Sequence, residues 1–339
     1  MAMNTWAANE IGKVNTIGLC HGVQGGAKLI EDSLNIPFNK MQYSCSGINH
    51  MTWYLDLKYK GKKITKEQLS KSLKKHKKFS RDEKVRIDVL DKFGYFSTES
   101  NGHLSEYLPW YRRTQNDVKK WSSLSNWIHG ETGGYLRVCN EKRNWFVEDY
   151  PKYLKKSGIN LNDYKRSSEH GSYIIEAIET GKKYRGHFNV INNKTISNLD
   201  EDCVIESTGY VSSKGLQMIE GIKLPLQCAS LCSTSIDVQR MAVKAAVNGD
   251  VELLKLAVLQ DPLVSSVCSS EEVWRMVDEM LVAQEKWLPQ FKSKINSIKR
   301  NLKKIKNYKY NKSVKGILKK SKIKREKRSV LVEKEAFNL

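Results

Sequence analysis

Two stretches of this sequence are punctuated alike. SRDEKVRIDVLDKFG (80–94) and SSEHGSYIIEAIETG (167–181) each open on serine, run through apolar residues at helical spacing and stop at glycine. A serine hydroxyl accepts from the free N–H groups of a first helical turn, and glycine ends a helix in the left-handed conformation without a Cβ penalty. The pattern predicts a helix over 80–94, with Ser80 as N-cap and Gly94 as terminator. It predicts another over 167–181, with Ser167 or Ser168 and Gly181 in those places. Around them the period changes. VNTIGLC (14–20) reads as a buried strand feeding a glycine-rich turn, and GGAKLIEDSLNI (25–36) as a helix with Ala27, Leu29, Ile30 and Leu34 on one side. Residues 40–64 predict strands around a hairpin at Lys60-Gly61, and 186–219 predict short strands separated by Asn, Gly and Asp turns. From 233 to 263 and from 269 to 289 the chain reads as helical, broken at Gly249-Asp250 and Asp261-Pro262. This alternation selects an α/β or α+β body ending in a helical layer.

Composition sets several classes aside. A chain of 339 residues can bury a substantial core. No run of about 18 apolar residues is present, which predicts no membrane span, and no basic stretch followed by an apolar one stands at the N-terminus. Seven cysteines, an odd count without framework spacing, predict reduced thiols and a cytoplasmic protein. The net charge is +21, but 18 Lys and Arg against 3 Asp and Glu lie between Phe291 and Leu339, so +15 of it belongs to that tail. The basic run 299–328 contains no Trp or Phe. Such a tail can hold phosphate backbones without sequence preference, yet charge runs of this kind are usually solvated, and nucleic acid is not the expected partner.

Three clusters carry chemistry. GLCHGVQGG (18–26) places Cys20 and His21 where a strand is expected to end, and CSGINHMTWY (45–54) does the same for Asn49 and His50. Thiolate and imidazole ligate divalent transition metals, and two protein ligands leave positions open for substrate. Neighbouring residues on an extended segment point apart, so one of Cys20 and His21 is expected to ligate. With no CxxC or HExxH pattern, spacing alone leaves a buried cysteine and hydrogen-bonded histidines as the alternative. The third cluster, FGYFSTESNGHLSEYLPWYRR (93–113), crowds Tyr95, Glu99, Ser100, His103, Glu106, Tyr107 and Arg112 together. Rings against sugar faces and charges on hydroxyls suit a carbohydrate pocket, and a tyrosine beside a cation can act as a base. A surface loop packed by its own aromatics is the alternative.

These motifs, with NVINNKTISNL (189–199) and EEVWRMVDEMLVAQEKWLPQF (271–291), resemble glycoside hydrolase family 4, in order from Met1 to about Phe291. The resemblance implies glycosidases that use NAD and a divalent metal, Mn²⁺, in place of two carboxylates. It implies Cys20 and His50 as ligands of a metal that holds the sugar's 2- and 3-oxygens in its open positions. It further implies hydride removal from C3, proton removal from C2 by Tyr95, elimination of the aglycone with help from His21, and return of the hydride. Asn49, Glu99 and His103 are implied around substrate, and Arg112 or Arg113 against a uronate carboxylate. CHGV (20–23) resembles members that act on α-galacturonides; the α-galactosidase or α-glucosidase type is the alternative.

The fold implied is the remainder of a Rossmann-like NAD-binding domain, its N-terminal part missing (1–40), and an α+β substrate and metal domain (41–291). A Lys-rich tail, helical or disordered, follows (292–339). The glycine fingerprint of a dinucleotide-binding turn is absent, so no cofactor-binding residue is assigned. MAMNTWA resembles the family stretch just after an Asn-Pro pair. A small oligosaccharide or uronide substrate is expected, and a homo-oligomer when the protein is complete. A catalytically silent remnant or partner-binding fragment is the reading from another class, and a basic nucleic-acid-binding protein the least favoured.

Overall fold

Turn chemistry organises the sheet. Lys60 and Gly61 both take positive φ, 49° and 75°, the pair of left-handed residues that a two-residue hairpin needs. They join β2 (Met51–Tyr59) to β3 (Lys62–Lys63), with Tyr59 opposite Lys62. One hairpin earlier, Ile48 stands opposite Met51, so Asn49 and His50 form the turn between β1 (Gln42–Ile48) and β2, with His50 at φ 64°. The computed structural model describes residues 1–12, 14–123, 128–130, 145–155, 166 and 169–304. Its sheet runs β3-β2-β1-β6-β5, with β4 (Phe96–Ser97) on β2 and β7 (Gly215–Met218) on β6. β5 spans Tyr184–Ile191 and β6 Val204–Ser212.

Successive side chains of a strand face opposite sides, and β2 divides the core accordingly. Trp53 packs with Trp6, Ile48, Leu104, Ile205, Cys228 and Ile236, whereas Tyr54 packs with Val23, Ile30, Leu69, Leu90 and Phe96. The first face is covered by α1 (Ala2–Ile11) and the long helix at Leu226–Asn248, the second by α2 (Gly22–Leu34) and α3 (Lys66–Lys75). A third cluster, built from Val251, Val273, Val277, Leu281, Phe291, Ile295 and Ile298, holds the C-terminal helical layer together.

Most element types agree with the sequence, and the departures have physical causes. Gly94, Gly181 and Gly249 end their helices at φ 83°, 74° and 67°, and Asp250, Asp261 and Ser269 cap the helices that follow the breaks. The helix over 80–94 is two, Phe79–Asp82 and Lys84–Phe93, and Ser80 lies inside the first instead of capping it. The Val85 N–H bonds Asn101 Oδ1 at 2.8 Å, so the helical ladder is not continuous across Glu83. Ser167 and Ser168 lie outside the described residues; the helix they were expected to cap runs His170–Thr180.

The strand expected over 14–20 is a single bridge, with Gly18 and Asn189 exchanging two 2.9 Å bonds. Val14 and Ile17 are 69% and 45% exposed, so nothing buries the face a strand would need. Every strand ladder among the described residues is antiparallel, and with the helices on both faces the sheet makes the mixed α/β body that was expected. Trp6 and Ile30, both within residues 1–40, belong to the cores on the two sheet faces. Helix Lys292–Lys304 buries Ile295 and Ile298 in the helical layer, one turn apart and away from its lysines. The six cysteines among the described residues are free thiols, and no helix there is long and apolar enough to cross a membrane.

Gly26 and Gly25 test how α2 seats. A Cβ on Gly26 would lie 2.6 Å from the Tyr54 hydroxyl and 2.8 Å from the Thr98 carbonyl, whereas one on Gly25 meets nothing within 4 Å. Gly26→Ala should therefore destabilise the chain by about 1–3 kcal/mol through overpacking. Gly25→Ala should be neutral or stabilising by up to about 1 kcal/mol from helix propensity. Denaturant unfolding of both variants checks the contrast.

Candidate functional site

Three chain segments meet at one end of the sheet. Cys20 precedes His21, the residue that starts α2. His50 is held outward by the β1–β2 turn, and Glu99 lies in the loop between β4 and the helix Asn101–Tyr107. Cys20 Sγ, a ring nitrogen of His50 and a carboxylate oxygen of Glu99 all lie within 4.8 Å of one another. Glu99 links two imidazoles, with Oε2 3.4 Å from His50 Nε2 and Oε1 3.1 Å from His103 Nδ1, while the Ser100 N–H donates to Oε1 at 2.8 Å. The two rings stack at 5.0 Å, and Tyr107 stands edge-on to His50 at 6.3 Å.

The electrostatics of this cluster are those of a cation site. Burial acts against ionised Glu99, but the hydrogen bond from His103, the charge of His50 and the Ser100 N–H outweigh it and bring the carboxyl down to about 2. Burial lowers His50 despite Glu99. His103 is also disfavoured by burial, yet its bond to Glu99 leaves it raised. Burial pushes the Cys20 thiol up to about 11, and the negative charges of Glu206 and Glu99 add to that; the Gly22 N–H and the Asn49 side chain work the other way. A bound metal reverses this logic, because a coordinating thiol loses its proton outright. Sulfur, imidazole nitrogen and carboxylate oxygen within reach of one point form a donor set that fits a divalent transition metal.

Behind the donors is a carboxylate that sequence reasoning missed. Glu206 is buried on β6, and Asn49 Nδ2 donates to its Oε2 at 3.2 Å. Burial raises it to about 7; Glu99 pushes the same way, and hydrogen bonds from Asn49, Asn189 and Thr52 oppose. Its only signal in the sequence is a lone acid in the apolar run CVIESTGYV (203–211).

His21 diverges from its neighbour. Its Nε2 lies 2.6 Å from Glu169 Oε2, both side chains about half exposed. His170, also missed, is buried beneath it, with Tyr184 Oη 2.7 Å from Nδ1, and Gln24 Nε2 2.6 Å and the Cys20 carbonyl 3.3 Å from Nε2. It steadies the backbone that carries Cys20.

The structure thus brings Cys20, His50, Asn49, Glu99 and His103 together, and leaves His21, Tyr95, Arg112 and Arg113 outside that cluster. Tyr95 packs half-buried against the main core; the ring that meets His50 is Tyr107. Arg112 is buried, with Nε donating to Ser105 Oγ at 2.7 Å and Nη2 to the Gly130 carbonyl at 3.0 Å. The guanidinium satisfies the 128–130 turn instead of waiting for a uronate. Arg113 is exposed and lies 3.6 Å from Asp117.

Residues 45–264 match the family model described as the family 4 glycosyl hydrolase C-terminal domain. An α-galactosidase of Rhizobium meliloti is 56% identical over 302 residues, 89% of this chain and 62% of that protein. An α-galactosidase of Bacillus subtilis is 32% identical, covering 86% and 66%. An α-galacturonidase of Thermoanaerobacterium saccharolyticum is 25% identical, covering 83% and 63%. The chain therefore spans slightly less than two thirds of these relatives' lengths. A structure of a 6-phospho-α-glucosidase from gut microorganisms, in complex with NAD and Mn²⁺, shares the fold at a TM-score of 0.64 and 15% identity, over 85% of this chain and 66% of that one.

The Glu99–imidazole pairs make a pH prediction for the metal-free chain. Glu99 sits below its ordinary 4.5, so its stabilisation is present above 4.5 and fades as pH falls toward 2. His103 sits above its ordinary 6.5, so its share is present below 6.5 and fades as pH rises through the raised value. The stability difference between the wild type and Glu99→Gln should peak between pH 4.5 and 6.5 and shrink on both sides. Unfolding curves in EDTA across that range check it, and a flat difference would contradict the pairing.

Proposed function

This chain belongs to family 4 of the glycosyl hydrolases, and we propose that its Cys20–His50–Glu99 cluster serves the hydrolysis of α-galactosides with a divalent metal, Mn²⁺, and NAD. The observation that carries this is the meeting of a thiol, an imidazole and a carboxylate within 4.8 Å at the end of the sheet. Two things favour galactosides over the galacturonides suggested by CHGV (20–23). The α-galactosidases are 56% and 32% identical to this chain and the α-galacturonidase 25%, and Arg112, the expected uronate partner, is already bonded to Ser105 and Gly130.

When bound, the metal supplies Lewis acidity toward sugar oxygens, and NAD supplies the reversible acceptance of hydride. Cys20, His50 and Glu99 are the residues that would hold the metal. No residue of this chain is assigned to NAD, since the Gly-x-Gly-x-x-Gly turn does not occur in its sequence.

The remaining roles fall to side chains on the page. Tyr107 replaces Tyr95 as the base for the sugar C2 proton, because its ring faces His50. Burial, with Glu99 and Glu106, holds its hydroxyl near 12, and a cation beside it would bring that down. His21, bonded to Glu169 and half exposed, is placed to protonate the departing oxygen. His103 keeps Glu99 ionised and oriented.

Mn²⁺ titration and turnover test these roles separately. Cys20→Ser and His50→Ala should each weaken Mn²⁺ binding by more than the roughly 10–100-fold typical of residues behind the ligands; unchanged affinity in both would remove the metal site. Tyr107→Phe should leave Mn²⁺ affinity intact and slow turnover of an aryl α-galactoside about 10²–10⁴-fold, whereas Tyr95→Phe should not. Faster turnover of an α-galacturonide than of the matching α-galactoside would overturn the substrate assignment.

A further inference from the structure

Glu206 has no part in the roles above, yet its surroundings are unusual for a carboxylate. It lies in the middle of the sheet, opposite Gly47 of β1 on one side and Asn189 of β5 on the other. Only 2% of the residue is exposed. Asn49 donates to it at 3.2 Å, and Asn49 is neutral. Among the described residues no salt bridge reaches it, and the charged group acting on it is Glu99, of the same sign. A buried charge without an opposite partner is costly to a fold. Asn49 is the bridge to the site: its side chain donates to Glu206, and it forms the β1–β2 turn together with His50.

Charge and geometry agree on what completes this arrangement. A divalent cation held by Cys20, His50 and Glu99 would supply the opposite charge that no salt bridge among the described residues gives Glu206. We propose that Glu206 is a positioning residue and buried counter-charge for the metal, holding the Asn49–His50 turn in place through its bond to Asn49 and raising the affinity of the pocket for a divalent cation. This rests on reading Cys20, His50 and Glu99 as a metal site. It predicts that the carboxylate serves the metal-loaded state and is dispensable to the metal-free fold. The structure even offers a place for its neutral isostere: Asn189 Oδ1 is buried without a hydrogen-bond donor, and the amide of Glu206→Gln could supply one while its carbonyl still accepts from Asn49.

The test uses the full chain at pH 8, with Mn²⁺ binding followed by calorimetry and thermal unfolding followed in EDTA. Glu206→Gln should bind Mn²⁺ about 10–100-fold more weakly than the wild type, and should melt in EDTA at the wild-type temperature or above. Glu206→Asp, which keeps the charge and loses the shape, should stay closer to the wild type in affinity than Glu206→Gln. Equal Mn²⁺ affinity in the wild type and Glu206→Gln would overturn the proposal. So would a Glu206→Gln chain that fails to fold or melts lower in EDTA, since the carboxylate would then serve the sheet and not the metal. Cys20→Ser separates this proposal from its premise. If it binds Mn²⁺ as well as the wild type, or if the wild type binds none, the metal reading falls and takes Glu206 with it. If Cys20→Ser loses binding while Glu206→Gln keeps it, only the role of Glu206 falls.

Discussion

The hairpin turn at Asn49 and His50 is the constraint on which the rest of the site depends. Because β1 and β2 are buried on both faces, their pairing has one tolerable register; a slip of one residue would exchange Trp53 and Tyr54 between two cores. That register puts the turn beside Cys20 and Glu99, with His50 in the left-handed conformation at φ 64°. A non-glycine residue held there carries strain of order 1 kcal/mol or more, which the paired strands overcome. The gain is direction. The His50 ring leaves the sheet toward Glu99, and the Asn49 side chain faces inward to Glu206.

The site is built against its own charge. A thiol, a Glu99 carboxylate and a buried Glu206 carboxylate lie close together, and in the metal-free chain both carboxylates make ionisation of Cys20 harder, as Glu99 does for Glu206. Glu99 alone is kept ionised, by two imidazoles and a backbone N–H. Such a cluster gains most from a divalent cation, which neutralises several groups at once and draws the proton from Cys20. The same charge is what Tyr107 lacks, since every charged neighbour acting on its hydroxyl raises it.

Adjacent residues of the CHGV motif serve opposite sides of this pocket. Cys20 turns to the donors, while His21 turns to Glu169 at the surface, and His170 fastens the peptide between them. The proposed metal ligand and the proposed acid are thereby separated by a single peptide unit. Arg112 shows the reverse case, a residue chemically suited to a uronate but already bonded within the fold.

The sequence by itself made most of the elements legible and pointed to two of the three candidate donors, Cys20 and His50. Glycine stops, aspartate and serine caps, the Lys60-Gly61 turn and the Cys20 and His50 motifs are local signals, each legible because a backbone conformation or a ligand chemistry demands that residue type. Local signals could not show what nothing local decides. VNTIGLC has the composition of a strand, but a strand exists only where a neighbour offers its free N–H and C=O groups, and here Asn189 alone does so. Ile295 and Ile298 look like parts of a basic tail until the helical layer gives them something to bury against. Whether Tyr95 or Tyr107 meets His50, and whether Arg112 faces a ligand or a turn carbonyl, depends on how one loop folds back on itself. Glu206 is the plainest instance. In the sequence it is one acid in an apolar run; only the three-dimensional packing of β1, β5 and β6 places it behind Asn49, because burial and charge are properties of the space around a side chain, not of its neighbours along the chain.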